Sequence, residues 1–132
     1  MKKMTKFKLS FCEIILLEKD IAEVIVDDGV EINLSMVEEY HTFLLDKMAH
    51  PFSLLINKKN SYSYTFEAQL QLATLTQINV MAVVAYTKIS EISTKNLVSL
   101  PREKLWQLEI FNDRELALAW LHNKHNSKVA AL

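Results

Sequence analysis

Along the chain, the pattern of hydrophobic and polar positions begins with two short apolar runs. Residues 11–17 and 21–26 are rich in apolar and β-branched side chains, and the polar stretch 18–20 separates them. Two such runs around a short polar turn predict a β-hairpin. Gly29 follows the second run closely, and it predicts a turn because glycine adopts backbone conformations that other residues resist.

The later apolar runs lack this polar separation. Residues 52–56 and 80–86 are continuously apolar, which is typical of strands buried on both faces in a parallel sheet covered by helices. Residues 105–111 alternate between apolar and polar side chains, as a strand near a sheet edge does. We expect the core of the sheet to contain five apolar residues of the strands: Ile14, Val24, Leu55, Val83 and Val84.

Between these strands, apolar residues recur at the spacing of three and four that is typical of an amphipathic helix. Ser35 and Glu38 form a capping-box pattern, and the apolar residues that follow at spacings of three and four predict a helix to Met48. Residues 66–77 carry two apolar stripes, which predicts a helix with Phe66, Leu70 and Ala73 on one buried face.

Two further helices are predicted in the second half of the chain. Residues 89–98 form a weaker helical pattern, because Ser, Thr and β-branched residues lower helix propensity. A second capping box at residues 112–115 begins a helix that runs from Asp113 to about His125.

These elements predict an α/β fold in the order β-β-α-β-α-β-α-β-α. The sheet is mixed but mainly parallel, has about five strands and is covered by helices. The length of 132 residues indicates a single domain over residues 1–132. Residues 1–9 are predicted to be a disordered basic leader, and residues 126–132 a frayed tail.

Composition and charge narrow the function classes. The formal net charge is −1, so no bulk positive field attracts nucleic acid or anionic lipid. One cysteine excludes an intramolecular disulfide and agrees with a reducing cytoplasm, which is where we expect the protein. No apolar run reaches the roughly 20 residues that a membrane span needs.

The order of elements resembles the STAS domain, the fold of bacterial anti-sigma-factor antagonists (SpoIIAA-like), and its STAS/SEC14-like relatives. The similar segments are residues 27–32 before the first helix, 64–68 at the opening of the second and 115–121 near the end. Many members of this looser branch have no assigned activity.

The resemblance implies a regulatory loop between a strand and the following helix. In regulatory STAS domains, an acidic-Ser-x-Gly-Leu-like loop carries a serine that a kinase phosphorylates. The corresponding residues 57–65 here offer hydroxyl groups at a helix N-terminus, where a phosphate is electrostatically favoured, but they lack the acidic residue and the Gly-Leu pair. The candidate interaction or regulatory residues are Asn57, Lys58, Lys59, Ser61, Tyr62, Ser63, Tyr64 and Thr65.

The same loop mixes cations and aromatics, which is the composition that binds single-stranded nucleic acid by charge and stacking. It has only Lys58 and Lys59 and no arginine, whereas nucleic-acid sites collect several cations, so an ordinary polar loop is the favoured interpretation. Tyr62 and Tyr64 have two interpretations of equal weight: an exposed interface, or packing against the fold.

Catalytic and metal-binding patterns are weak. His122 and His125 stand three residues apart, but a zinc site needs three or four ligands, so a solvated helix end is favoured. His41 follows Glu38 by three residues and indicates a surface pair. Cys12 lies in an apolar strand and is expected to be a buried small hydrophobe. One glycine leaves no phosphate-binding loop, and we expect no catalytic, cofactor or metal site.

Two functional hypotheses follow. The first is a non-catalytic regulatory or protein-interaction module of the STAS-like type, whose partner is another protein and whose surface is residues 57–65. The alternative is a SEC14-like carrier that holds a lipid or another apolar small molecule in a pocket between helices and sheet. We expect no nucleic-acid partner, and a homodimer is compatible with either hypothesis.

Overall fold

The computed structural model describes residues 4–100 and 107–130, in which eight strands and four helices follow one another. The strands are β1 (Thr5–Lys8), β2 (Cys12–Glu18), β3 (Ile21–Val26), β4 (Glu31–Ile32), β5 (Phe52–Lys58), β6 (Ser63–Tyr64), β7 (Ile78–Ala85) and β8 (Leu108–Phe111). The helices are α1 (Leu34–Lys47), α2 (Phe66–Gln71), α3 (Lys88–Val98) and α4 (Arg114–Ala130). The predicted α/β class is therefore confirmed.

Six of the described strands form one mixed sheet in the order β1-β2-β3-β5-β7-β8. The first three strands pair antiparallel, and β3, β5, β7 and β8 are parallel to one another. One row of side chains crosses the parallel part, with Val24 opposite Ile56, Ile56 opposite Val83 and Val83 opposite Ile110. The short strands β4 and β6 pair with each other in a separate parallel ribbon.

Helices cover both faces of the sheet, which explains the continuous apolar runs in its central strands. Along β5, Leu54 and Ile56 belong to the core under α1 and α2, whereas Leu55 belongs to the core under α4. Because successive side chains of a strand point to opposite faces, a strand covered on both sides needs apolar residues at every position. All five residues predicted for the core are at most 3% exposed, which confirms that prediction.

The ends of the chain contain more structure than the sequence predicts. β1 lies within residues 1–9, for which a disordered leader is predicted, and it pairs with β2. Phe7 anchors it by an edge-to-face contact with Phe43 of α1, at 5.1 Å between ring centroids. Helix α4 continues to Ala130, into the segment predicted to be frayed. Leu105 and Trp106 of the predicted last strand lie outside the described residues.

Two helix boundaries differ from their predictions. Asn33, not Ser35, caps α1, and its side chain accepts a hydrogen bond from the Met36 backbone amide at 2.9 Å. Helix α2 ends at Gln71 instead of residue 77, and Ala73 beyond it adopts a positive φ of 55°. Phe66 is 68% exposed, so the buried face predicted for that helix is wrong at its first residue.

Among the described residues, no helix is long and apolar enough to cross a membrane.

Candidate functional site

The candidate site is built around Lys58, the last residue of β5. Strand alternation places its side chain on the same face as Phe52, Leu54 and Ile56, beneath α1 to α3. This row is apolar up to its final position. Lys58 is only 8% exposed, and lysine is among the residues least often fully buried. A cation therefore ends an otherwise hydrophobic row inside the protein.

An apolar cavity of about 50 Å³ lies beside Lys58 between the sheet and the helices. Its floor includes Val24, Ile56 and Val83, which are neighbours in one row across the sheet. Its walls come from helices and loops, including Tyr40 of α1 and Leu97 of α3. These side chains give the interior an almost wholly hydrocarbon surface.

Tyr62 and Tyr64 cover the lysine from the other side. The Lys58 Nζ atom lies 5.5 Å from the ring centroid of Tyr62 and 5.6 Å from that of Tyr64. The two rings meet edge to face, with 5.6 Å between their centroids. Burial raises the pKa of Tyr64 to about 12, and burial likewise raises that of Tyr62 well above its ordinary value. Both hydroxyls are therefore neutral donors and acceptors at physiological pH.

The Lys58 ammonium has no ion pair or hydrogen bond with any of residues 4–100 and 107–130. Burial lowers the pKa of Lys58 from 10.5 to about 8, since desolvation disfavours the charged form. The faces of two aromatic rings are its nearest favourable contacts. The site thus presents a cation that none of the described residues neutralises or hydrogen-bonds.

A second, open cleft of about 210 Å³ adjoins the cavity, and Lys58 and Tyr62 line both. The cleft lies where β5 and β7 end, and the carboxyl ends of parallel strands are where ligands gather in open α/β sheets. Its far wall is the N-terminus of α3, where the Thr87 side chain accepts a hydrogen bond from the Ser90 backbone amide. The positive end of the helix dipole and the side chain of Lys59 line the same cleft.

The predicted loop, residues 57–65, is held in place by backbone pairing. The Gly29 amide donates to the Ser61 carbonyl at 2.7 Å, and the Ser63 amide donates to the Val30 carbonyl at 2.9 Å. Gly29 adopts a φ of 78°, which confirms the turn predicted there. Asn60 also donates through its side chain to the Val26 carbonyl at 2.9 Å. These bonds fold the loop back over Lys58.

The structure separates the eight candidate residues of this loop into three groups. Lys58, Tyr62 and Tyr64 point inward and line the cavity, which favours the packing interpretation of the two tyrosines. Thr65 caps α2, accepting from the Ala68 amide at 3.2 Å, and Asn57 faces α4 on the opposite side of the sheet. The remaining three, Lys59, Ser61 and Ser63, are exposed.

A polar network on the α4 side of the sheet joins residues far apart in sequence. Arg114 donates to both carboxylate oxygens of buried Glu23, at 2.8 and 3.0 Å, and Asn57 donates to the same carboxylate at 2.8 Å. Burial by itself raises the pKa of Glu23, but the hydrogen bonds from Arg114 and Asn57 outweigh it and hold that pKa below its usual 4.5. This network fixes the start of α4 on the sheet.

A second network fixes the C-terminal half of α4. His125 is fully buried, with Nδ1 2.6 Å from the Ser53 hydroxyl and Nε2 2.9 Å from an Asp20 carboxylate oxygen. The connectivity is that of a Ser-His-Asp triad, but Ser53 is also fully buried and its hydroxyl accepts from the Val80 amide at 3.2 Å. A fully buried serine is not accessible to a substrate, so we interpret this arrangement as structural: it attaches α4 to the sheet. The prediction of a solvated end is wrong for His125.

Cys12 and His41, which the sequence presents as possible functional residues, both have structural roles. Cys12 is fully buried, and burial raises the pKa of its thiol to about 12, which confirms the expected small hydrophobe. His41 is not simply a surface residue paired with Glu38, because its Nε2 accepts a hydrogen bond from the Ala73 amide at 3.2 Å. Burial lowers the pKa of His41.

Sequence reasoning missed the α3 side of the site. Tyr86, Thr87, Ile89 and Ser90 border the open cleft, but the sequence places them only at the start of a weak helix. One signal in the sequence could have located them. Thr87 directly follows the apolar run 80–86, and a threonine at that place can cap the first turn of a helix by accepting a hydrogen bond from the backbone amide three residues later.

Comparison of the chain with protein-family models, curated proteins and solved structures finds no match.

Proposed function

We propose that this chain is a carrier or sensor domain for a small amphipathic carboxylate. The ligand's hydrocarbon part occupies the apolar cavity, and its carboxylate accepts hydrogen bonds from Lys58 at the junction with the open cleft. The observation that carries the proposal is the Lys58 ammonium, 8% exposed and unpaired among the described residues, on a wall that the cavity and the cleft share.

Charge favours a carboxylate over a more highly charged anion. One buried ammonium neutralises one negative charge, and the nearby α3 N-terminus contributes roughly half of a further positive charge. A phosphate carries about −1.5 to −2 at neutral pH and needs more compensation than one buried lysine provides. The exposed Lys59 strengthens the attraction of the cleft for anions without entering the cavity.

Volume limits the hydrocarbon part to a few carbon atoms. The cavity holds about 50 Å³, roughly a third of an engineered apolar cavity of about 150 Å³ that binds benzene. Two or three carbons beyond the carboxyl carbon therefore fit. Carboxylates with three or four carbons in total match this space better than the long acyl chains of membrane lipids.

The proposed function agrees with the carrier hypothesis drawn from the STAS/SEC14-like resemblance. A mixed sheet entered by antiparallel strands, with helices on both faces, supports a STAS-like topology as part of this proposal. The extra edge strand β1 and the β4–β6 ribbon are additions to the predicted order.

A titration with straight-chain carboxylates from acetate to octanoate, followed by NMR, tests the proposed function. Each added methylene contributes about 0.8 kcal/mol, so affinity is expected to rise about fourfold per carbon until the cavity is full, and then to stop rising. Val24→Ile adds one methylene group to the floor of the cavity, so affinity should stop rising at a chain that is one carbon shorter. The proposal fails if the shifts show no dependence on chain length, because such binding uses charge alone.

Lys58→Met and Lys59→Met form the matched pair of control variants. The first removes the buried cation and is expected to weaken binding at least tenfold, whereas the second removes an exposed cation and changes affinity less than threefold, because exposed charges are screened. Equal effects of the two substitutions would show that the buried lysine is not the anchor.

The protein-interaction hypothesis stays a prediction, and one observation favours it as the second candidate. Tyr86 and Ile89 at the rim of the cleft are 48% and 82% exposed, and exposed aromatic and aliphatic residues at a rim suit a protein contact. A Tyr86→Ser, Ile89→Ser variant should keep carboxylate binding and lose a partner recovered by the wild type. If the variant still binds that partner, the rim formed by Tyr86 and Ile89 is not the binding surface.

A further inference from the structure

We propose that the Lys58 amine is a nucleophile that captures small aldehydes and ketones as a reversible imine. The ligand class follows from the site: a carbonyl carbon reaches Nζ through the open cleft, and a short apolar substituent enters the cavity. This inference shares the location of the proposed function but adds a covalent bond that carboxylate binding does not require.

Geometry places the amine where such a reaction needs it. Lys58 lines both the apolar cavity and the adjoining cleft, so a small molecule in either pocket is next to this side chain. No carboxylate pairs with Nζ among the described residues, so none has to be displaced. The Tyr62 and Tyr64 rings lie next to each other, 5.5 and 5.6 Å from Nζ, and so cover one side of the amine and leave the rest of it free of aromatic contact.

The reaction balances without an oxidant or a reductant. The neutral amine attacks the carbonyl carbon, a C–N bond forms, and the carbonyl electron pair moves to oxygen, which takes up the proton lost from nitrogen. A proton from solvent then converts the hydroxyl group into water, which the nitrogen lone pair expels, and the resulting iminium returns its N–H proton to solvent and leaves the neutral C=N bond. Net, amine and carbonyl give imine and one water molecule, and hydrolysis reverses the sequence.

Burial supplies the neutral amine. With the pKa of Lys58 lowered to about 8, roughly a tenth of the side chain is uncharged at pH 7, whereas an ordinary lysine is uncharged at less than about one part in a thousand. A lysine desolvated in a hydrophobic pocket is one of the recognised ways to activate this nucleophile.

Reductive trapping tests the inference on the full chain. Protein is incubated at pH 7 with butanal and cyanoborohydride, and the alkylated positions among the 13 lysines are located by peptide mass spectrometry. Lys58 is expected to be modified at least about tenfold faster than the mean of the other lysines, and butanoate should slow only that modification. Equal modification of Lys58 and exposed Lys59 would overturn the inference.

Lys58→Arg separates this inference from the proposed function. Arginine keeps a positive charge but forms no imine under these conditions, so the variant should lose the fast modification and retain butanoate binding. If butanoate binds the wild type but Lys58 is not modified preferentially, the covalent inference fails and the proposed function stands. If Lys58 is modified preferentially but butanoate neither binds nor competes, the carboxylate proposal fails instead.

Discussion

Replacing Lys58 with methionine is expected to stabilise the protein. Methionine is unbranched and apolar and adapts to irregular spaces, so it can follow the path of the lysine stem beside Ile56 and Tyr62. The substitution removes the desolvated ammonium and leaves no buried hydrogen-bonding partner behind, because none of the described residues bonds to Nζ. Binding sites often carry such a local cost in stability.

The magnitude follows from the lowered pKa. The pKa of Lys58 falls from 10.5 to about 8, and at about 1.4 kcal/mol for each tenfold change in the acid constant the charged form is disfavoured in the folded state by about 3.5 kcal/mol. Contacts with the faces of Tyr62 and Tyr64 offset about 1 kcal/mol of this. We therefore expect Lys58→Met to raise the free energy of unfolding by about 2.5 kcal/mol at pH 7.

The pH dependence has a definite sign. Below pH 8 the lysine is charged in both folded and unfolded states, and the full cost of burying the charge applies. Between about pH 8 and 10.5 the unfolded state binds the extra proton, so the stability of the wild type rises with pH. The advantage of the variant should therefore shrink by about 2 kcal/mol between pH 7 and pH 9.5.

Urea unfolding at pH 7 and pH 9.5 measures both quantities, with Lys59→Met as the control for loss of an exposed lysine. The control should change the free energy of unfolding by less than about 0.5 kcal/mol at either pH. The reasoning is refuted if Lys58→Met is no more stable than the wild type at pH 7, or if its advantage is the same at both pH values.

Three further predictions concern the scaffold. Val83→Asp should leave the domain unfolded by circular dichroism at 25 °C, because an unpaired buried charge costs several kcal/mol; a cooperative wild-type melt would contradict this. Glu23→Ala should lower the free energy of unfolding by about 2–3 kcal/mol above pH 4.5. The difference should become smaller as the pH falls through the lowered pKa of Glu23, because protonation of Glu23 removes the ion pair with Arg114 from the wild type as well. A difference that does not depend on pH would contradict the role of this ion pair. Cys12 should resist iodoacetamide at pH 8 until the protein is unfolded in urea, and rapid alkylation of the native protein would disprove its burial.

The strands could be predicted because their signal is local. Apolar runs, β-branched content and polar turns identify β2, β3, β5 and β7, and the lack of alternation correctly indicates helices on both faces. The short ribbon of β4 and β6 could not be predicted in this way, since each strand has two residues and its stability comes from pairing across about 30 positions of sequence.

The buried character of Lys58 could not be read from the sequence. Asn57 and Lys58 follow an apolar run and therefore indicate the start of a loop, but both are the last residues of β5. Asn57 is held there by Glu23, and Lys58 is enclosed by Tyr62 and Tyr64 after the loop folds back. These contacts are tertiary, and they override the local preference for polar residues at the surface.

The pKa of Lys58, measured with and without butanoate, tests the central claim most directly. Lysine labelled with 13C at Cε reports the titration of each side chain by NMR, and Lys58→Met assigns the signal. We predict a free pKa of about 8 that rises by about one unit or more with saturating butanoate, because a bound carboxylate favours the charged amine. A pKa that starts at the ordinary lysine value, or that butanoate leaves unchanged, would contradict the account.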